Sequence, residues 1–220
     1  MSEFVFLLLV GICIGFVYIV HKYFSKSEFY LLGIIYTIIS FLMSFKLINI
    51  FGMDVNPSII FTSEIFMIIY YFINRYDVKE YKKFILLIFS TSIVCNLFLL
   101  STSFMIPSIY DNSSNLYQSL ILDNLVIFIL YPVSILATSC LSGYCFRGLK
   151  EENKKNIKNI IAIIGIMFIY SFIFIYFSYA VLIRFNKALL IAVENYFISS
   201  IIMIMYMFII NKIFNVKKVK

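Results

Sequence analysis

Long apolar runs, separated by short charged, Asn-rich or Ser-rich gaps, fill this 220-residue chain. Seven runs stand out: Phe4–Val20, Phe29–Phe45, Pro57–Ile73, Phe84–Ile106, Leu120–Phe146, Ile157–Ile183 and Ala188–Ile210. Each reaches the ~17–25 residues that carry a helix across a hydrocarbon layer. None alternates apolar and polar residues strictly, which argues against barrel strands and predicts helices. Pro132 falls inside the fifth run, where it removes a backbone donor and crowds the preceding turn, so a kink is expected there. Asp123 and Asn124 lie near the start of the same run. No cation precedes the first run and no small-residue cleavage pattern follows it, so it reads as a retained helix.

Composition narrows the class. Hydrophobic residues make up 63% of the chain and charged residues 13%, against roughly 25% charged for a soluble domain. A water-soluble globule could not cover that much apolar surface, and a disordered chain needs low hydrophobicity. Four cysteines in 220 residues are too sparse for a disulfide scaffold. The expected fold is an all-α polytopic membrane bundle of about seven transmembrane helices, a single membrane-embedded domain over residues 1–220. The polar stretches Pro107–Ser119 and Phe146–Lys158 are too short to bury cores of their own.

A net charge of +7 could suggest nucleic acid, but its distribution points elsewhere. Fifteen of the 18 Lys and Arg residues fall in alternate gaps and at the C-terminal end, and only Lys46, Arg184 and Lys187 fall in the other gaps. The positive-inside rule then places the N-terminus outside and the C-terminus in the cytoplasm, as for a multi-pass protein of the cell membrane. The basic charge is topological, and no nucleic-acid partner is expected.

Catalytic chemistry is sparse. His21 is the single histidine, and Cys13, Cys95, Cys140 and Cys145 form no Cys-x-x-Cys pair. A zinc or haem site needs more donors at tighter spacing, and no Gly-rich phosphate loop or nucleophile motif occurs. No metal, no cofactor and no enzymatic activity are expected.

Ionisable residues inside spans are costly and point to function. Glu64 lies seven residues into the third run and Glu194 six residues into the seventh, each counted from the outer end. At 1.5 Å per residue both are expected roughly 10 Å below the outer surface. Asn195 adjoins Glu194, and Asn96 sits deeper in the fourth run. Two readings stay open. The carboxylates either snorkel, stay protonated or pair with Lys46, Arg184 or Lys187, or they meet in a polar pocket that opens outward. In such a pocket a carboxylate accepts two parallel N–H bonds, Asn offers a donor and an acceptor, and aromatic faces hold a flat ring.

Several segments carry a resemblance to a known family. Lys46-Leu-Ile-Asn-Ile-Phe-Gly52, then a span, then Tyr76-Asp-Val-Lys-Glu-Tyr-Lys-Lys83 resembles the vitamin-uptake transporters, also called queuosine-precursor transporters. There a short Phe-Gly turn precedes a helix that ends in a Tyr-Gly-Lys-Lys-Glu-Ala-like cytoplasmic loop. His21-Lys-Tyr-Phe-Ser-Lys-Ser-Glu-Phe-Tyr30 is similar to that family's first connection, and Pro132-Val-Ser-Ile-Leu-Ala-Thr138 to its Pro-Arg segment. Lys158-Asn159 falls where the family has Arg-Asn-Asn before its penultimate helix, and Asn195-Tyr196 is similar to the small-residue-Tyr pair that opens its last one.

The chain also departs from that pattern. Tyr70, Tyr170 and Tyr206 stand where acidic residues are usual, Val133 replaces an Arg, Met167 a Gln and Ser199 a Lys. The resemblance implies import of a small heterocycle, either a queuosine precursor such as queuine or a vitamin-like compound. Glu64, Asn96, Glu194, Asn195, Tyr70 and Tyr170 are then the expected substrate-binding residues. The implied partners are membrane lipid, the solute, and either an external energising module or a second copy. The departures support an alternative, a non-transporting membrane partner or assembly subunit that keeps the scaffold and has lost the site.

Overall fold

The computed structural model describes residues 2–23, 25–76, 78–104, 114–151 and 157–213. Its helices are α1 (Ser2–Tyr23), α2 (Lys26–Met43), α3 (Ser58–Arg75), α4 (Val78–Ser103), α5 (Ser114–Asp123), α6 (Leu125–Glu151), α7 (Ile157–Tyr170), α8 (Phe177–Ala180) and α9 (Phe185–Ile213). A π-helical segment, Ser171–Tyr176, joins α7 to α8. Among the described residues six stretches are long and apolar enough to cross a membrane: Glu3–Tyr23, Lys26–Met43, Val78–Ser103, Leu125–Leu149, Ile157–Ala180 and Phe185–Ile209. The chain is an all-α, multi-pass membrane bundle. The polar Phe146–Lys158 and Pro107–Ser119 stretches fall partly outside the described residues, as do Lys154, Lys155 and the C-terminal lysines after Asn211–Ile213.

The helices are built inside out relative to a soluble protein. Along α1 the buried side chains Phe6, Val10, Cys13 and Val17 form one stripe at helical spacing, while Phe4, Leu7, Leu8 and Phe16 are exposed. The same division holds along α4, where Leu86, Val94, Leu97 and Phe98 face outward. Such apolar exteriors suit hydrocarbon surroundings, in which backbone polar groups must be satisfied within helices.

The third expected span is different in kind and is not among these six. α3 is buried at every position from Ser58 to Ile73. It packs against α1, α2, α4, α6 and α9, so other helices separate it from lipid. That enclosure explains why it can carry Ser58, Thr62, Ser63 and Glu64, while Asn74 and Arg75 lie at its less enclosed end. Its 18 residues extend about 27 Å, close to the thickness of a hydrocarbon core.

Two other expectations change. The fifth run is divided at Asn124, so Asp123 ends the short α5 and Leu125 opens α6, with Pro132 one-third of the way along it. Between α2 and α3 the chain forms a small antiparallel hairpin that the apolar pattern does not announce: β1 (Ile48–Ile50) pairs with β2 (Met53–Val55). Phe51 and Gly52 make its turn at φ 52° and 79°. Positive φ at both positions is the geometry of a two-residue type I′ turn, which matches strand twist.

α4 is seated in two glycine notches. An added Cβ at Gly33 of α2 would lie 2.2 Å from the Phe84 ring, and one at Gly143 of α6 would lie 2.8 Å from the Tyr81 ring. Small residues let the helices approach closely where lipid supplies no hydrophobic driving force between them. Gly33→Ala is therefore expected to lower the thermal unfolding midpoint of the detergent-purified protein, by the equivalent of about 1–3 kcal/mol of overpacking. Gly15→Ala, where an added Cβ meets nothing within 4 Å, should leave that midpoint unchanged or raised.

Candidate functional site

Glu64 sits at the centre of the bundle, 1% exposed. The Tyr206 hydroxyl from α9 adjoins its carboxyl, and Tyr36 of α2 and Cys13 of α1 are within electrostatic reach. Four helices thus converge on one acidic side chain. Within the described residues Glu64 makes no ion pair with Lys46, Arg184 or Lys187, and its Oε1 has no hydrogen-bond partner. A buried polar atom left unpaired costs about 1–3 kcal/mol, more if charged. Glu64 is therefore a group the fold holds at a cost, which is unusual for a residue with a purely structural role.

Other polar atoms without partners line the same interior. They include Ser63 Oγ and Ser58 Oγ on α3, Ser200 Oγ on α9, and the Tyr170 hydroxyl with Ser171 Oγ and Ser178 Oγ around the π segment. π-helical segments widen a helix locally and recur at functional sites. Tyr170 packs edge-on to Phe66, ring centroids 5.7 Å apart, with its hydroxyl near Thr62 and Ser58. Thr62 and Glu64 are two residues apart, about 200° around the helix. Tyr170 and Glu64 therefore face opposite sides of α3 and do not share one pocket.

Glu194 and Asn195 perform a different task. A Glu194 carboxylate oxygen accepts the Asp54 N–H at 2.8 Å. Asn195 accepts the Asn56 N–H at 2.8 Å and donates to the Asp54 and Ile191 carbonyls. Asn56 in turn donates to the Ser44 carbonyl and the Tyr179 hydroxyl and accepts the Ser58 N–H. These bonds fasten the hairpin to α9 and satisfy backbone groups of β2 and of the chain that leads into α3.

They also set the depth of each helix. Asn56 is level with Asn195, and Glu64 lies eight residues further along the chain from Asn56, about 12 Å deeper. The expected shared depth of Glu64 and Glu194 is overturned for that reason. α9 starts at Phe185, well before the hairpin contact, whereas α3 starts only after it. Glu64 instead stands near Tyr206, twelve residues beyond Glu194.

Asn96 is also engaged structurally. Its side-chain N–H donates to the Phe128 carbonyl, the acceptor that the residue at 132 would occupy if it were not proline. Thus α4 supplies the donor that Pro132 withholds from α6. Tyr70 lies towards the other end of α3, where its hydroxyl donates to Asn211 at 3.1 Å and its ring packs edge-on to Phe146. His21 shares that end: its Nδ1 lies 2.9 Å from the Tyr71 hydroxyl and 3.3 Å from an Arg75 guanidinium nitrogen. No group of three metal-ligating side chains occurs among the described residues.

Of the six expected binding residues, Glu64, Tyr170 and Asn96 keep a buried polar atom without a partner among the described residues, and of these Asn96 also donates to a backbone carbonyl. Nothing in the local sequence distinguishes Tyr36 from a packing tyrosine, and Tyr206 is marked there only as standing where the resembled family has an acidic residue, not as a binding group. Searches against family models, curated proteins and solved structures find no match.

The pairing of Asn96 with Pro132 is open to a double-mutant cycle. Asn96→Leu is expected to lower stability by about 1 kcal/mol, read as the unfolding midpoint in detergent. In the Pro132→Ala background, where an N–H is restored at position 132, the same change should cost little.

Proposed function

We propose that this protein is a transporter of the cell membrane that imports a small, flat, polar heterocycle. Queuosine precursors such as queuine and vitamin-like compounds are the substrate class. The observation that carries the reading is the buried, ion-pair-free Glu64 carboxyl on an enclosed central helix. Transporters place polar binding groups near the middle of the bilayer at the meeting of several helices. A carboxylate accepts paired N–H groups of an amino-substituted ring, the Tyr206 and Tyr36 hydroxyls add hydrogen bonds, and their ring faces stack on the solute. A proton on Glu64, taken up or released with the solute, would couple import to an ion gradient. An external energising module or a second copy is the other route to energy.

A second reading has its own observation. Asn96, Glu194 and Asn195 are committed to holding backbone in place, as in a scaffold that has become a non-transporting membrane partner. A stoichiometric companion in a mild-detergent pull-down, together with no uptake, would favour that reading.

The test is uptake. In a strain that cannot make queuosine and lacks other importers, this gene should restore queuosine in tRNA when queuine is supplied. Glu64→Gln should cut the initial uptake rate by about tenfold or more, the loss of a charge-assisted hydrogen bond. Glu194→Gln should act through stability rather than through affinity. Failure of the unaltered protein to restore queuosine, or of a deazapurine and vitamin panel to bind it, would remove the reading.

A further inference from the structure

The end of the bundle where α4 and α7 begin and α6 ends carries two clefts that share one wall. The first, about 510 Å³, lies between α4 and α6 and is walled by Ile85, Leu86, Leu136 and Cys140. The second, about 580 Å³, lies between α6 and α7 and is walled by Gly148, Leu149, Ile161 and Ala162. Tyr144 and Arg147 line both. Lys82 lines the first and Lys158 the second.

The placement of the cations follows from helix geometry. Leu136, Cys140, Tyr144 and Arg147 succeed one another at spacings of four, four and three, so they form one outward ridge of α6 between the clefts. Lys82 is in the second turn of α4, Lys158 is the second residue of α7 and Arg147 is near the end of α6. All three therefore lie close to one membrane–water boundary. The starts of α4 and α7 add the partial positive charge of helix N-termini. The rest of the surface is apolar and outward: Leu86 is 64%, Ile161 63% and Tyr144 80% exposed.

We infer that this face binds one anionic phospholipid, its phosphate between Lys82, Arg147 and Lys158 and its two acyl chains in the clefts on either side of α6. Three features select a lipid over a soluble anion or a protein. The cations stand at the boundary where headgroups lie, and basic pockets between helices there are suited to acidic headgroups. Two apolar clefts separated by one helix match a molecule with two chains. The polar contribution to both clefts is cationic at one end only, so the ligand must be amphipathic along the same axis. Tyr144 suits the interface, where aromatic rings with a polar tip collect.

The site is separate from Glu64 and does not depend on the transport reading. The full chain, purified in detergent and stripped of lipid, is titrated with dioleoyl phosphatidylglycerol, dioleoyl phosphatidylcholine or glycerol 3-phosphate, and retained lipid is counted by native mass spectrometry. Phosphatidylglycerol is expected to bind at one per chain and about tenfold or more tighter than phosphatidylcholine, with no competition from glycerol 3-phosphate. Arg147→Gln should bring the two lipids to within about threefold of each other. Gly148→Leu, at a position where an added Cβ meets nothing within 4 Å, should reduce retention of both lipids while leaving the unfolding midpoint intact. Equal retention of the two lipids by the unaltered chain would overturn the inference. So would displacement by glycerol 3-phosphate, unchanged retention in both variants, or a lipid-free dimer.

Discussion

A polar group withdrawn from water must find its partner inside the protein, and most of this structure is organised by that demand. Helices meet it for the backbone by themselves. Wherever the helical pattern fails, a side chain from another element makes good the loss. Asn96 reaches from α4 to the Phe128 carbonyl exposed by Pro132. Asn56 and Tyr179 close on the Ser44 carbonyl at the end of α2, and Asn195 and Glu194 hold β2. Three of the amides and acids that look like ligand-binding groups in the sequence, Asn96, Glu194 and Asn195, are thus spent on the backbone.

That demand gives Glu64 its meaning. α3 can be polar because five other helices shield it, and within the described residues the Glu64 carboxyl makes no ion pair. The surrounding tyrosines and serines can offer hydrogen bonds, but several remain unpaired in the described chain. The outer helices show the opposite economy, with one buried stripe each and an apolar face towards lipid.

α6 connects these two worlds. Its inner face packs Tyr131 against Phe41 and donates from that hydroxyl to the Thr37 carbonyl of α2. Gly143 admits the Tyr81 ring of α4 at close range. Its outer ridge, ending at Tyr144 and Arg147, separates two clefts at the basic end. One helix therefore contributes to the sealed core and to the surface most suited to lipid, and its period of 3.6 residues keeps the two roles on different faces.

The sequence by itself determined the class of the molecule and the positions of its spans. Apolar runs of sufficient length must become helices in hydrocarbon, and that rule depends only on local composition. It also marked Glu64, since a carboxylate in such a run is conspicuous wherever the helix lies. Which run would be the enclosed one, and how deep each helix starts, only the tertiary structure decided. Depth counted along one helix is local, but the offset between α3 and α9 is set by the hairpin and by Asn56 meeting Asn195. For the same reason Glu194, which looks like a twin of Glu64 in the sequence, is a clamp, and Tyr206 is the residue that meets Glu64.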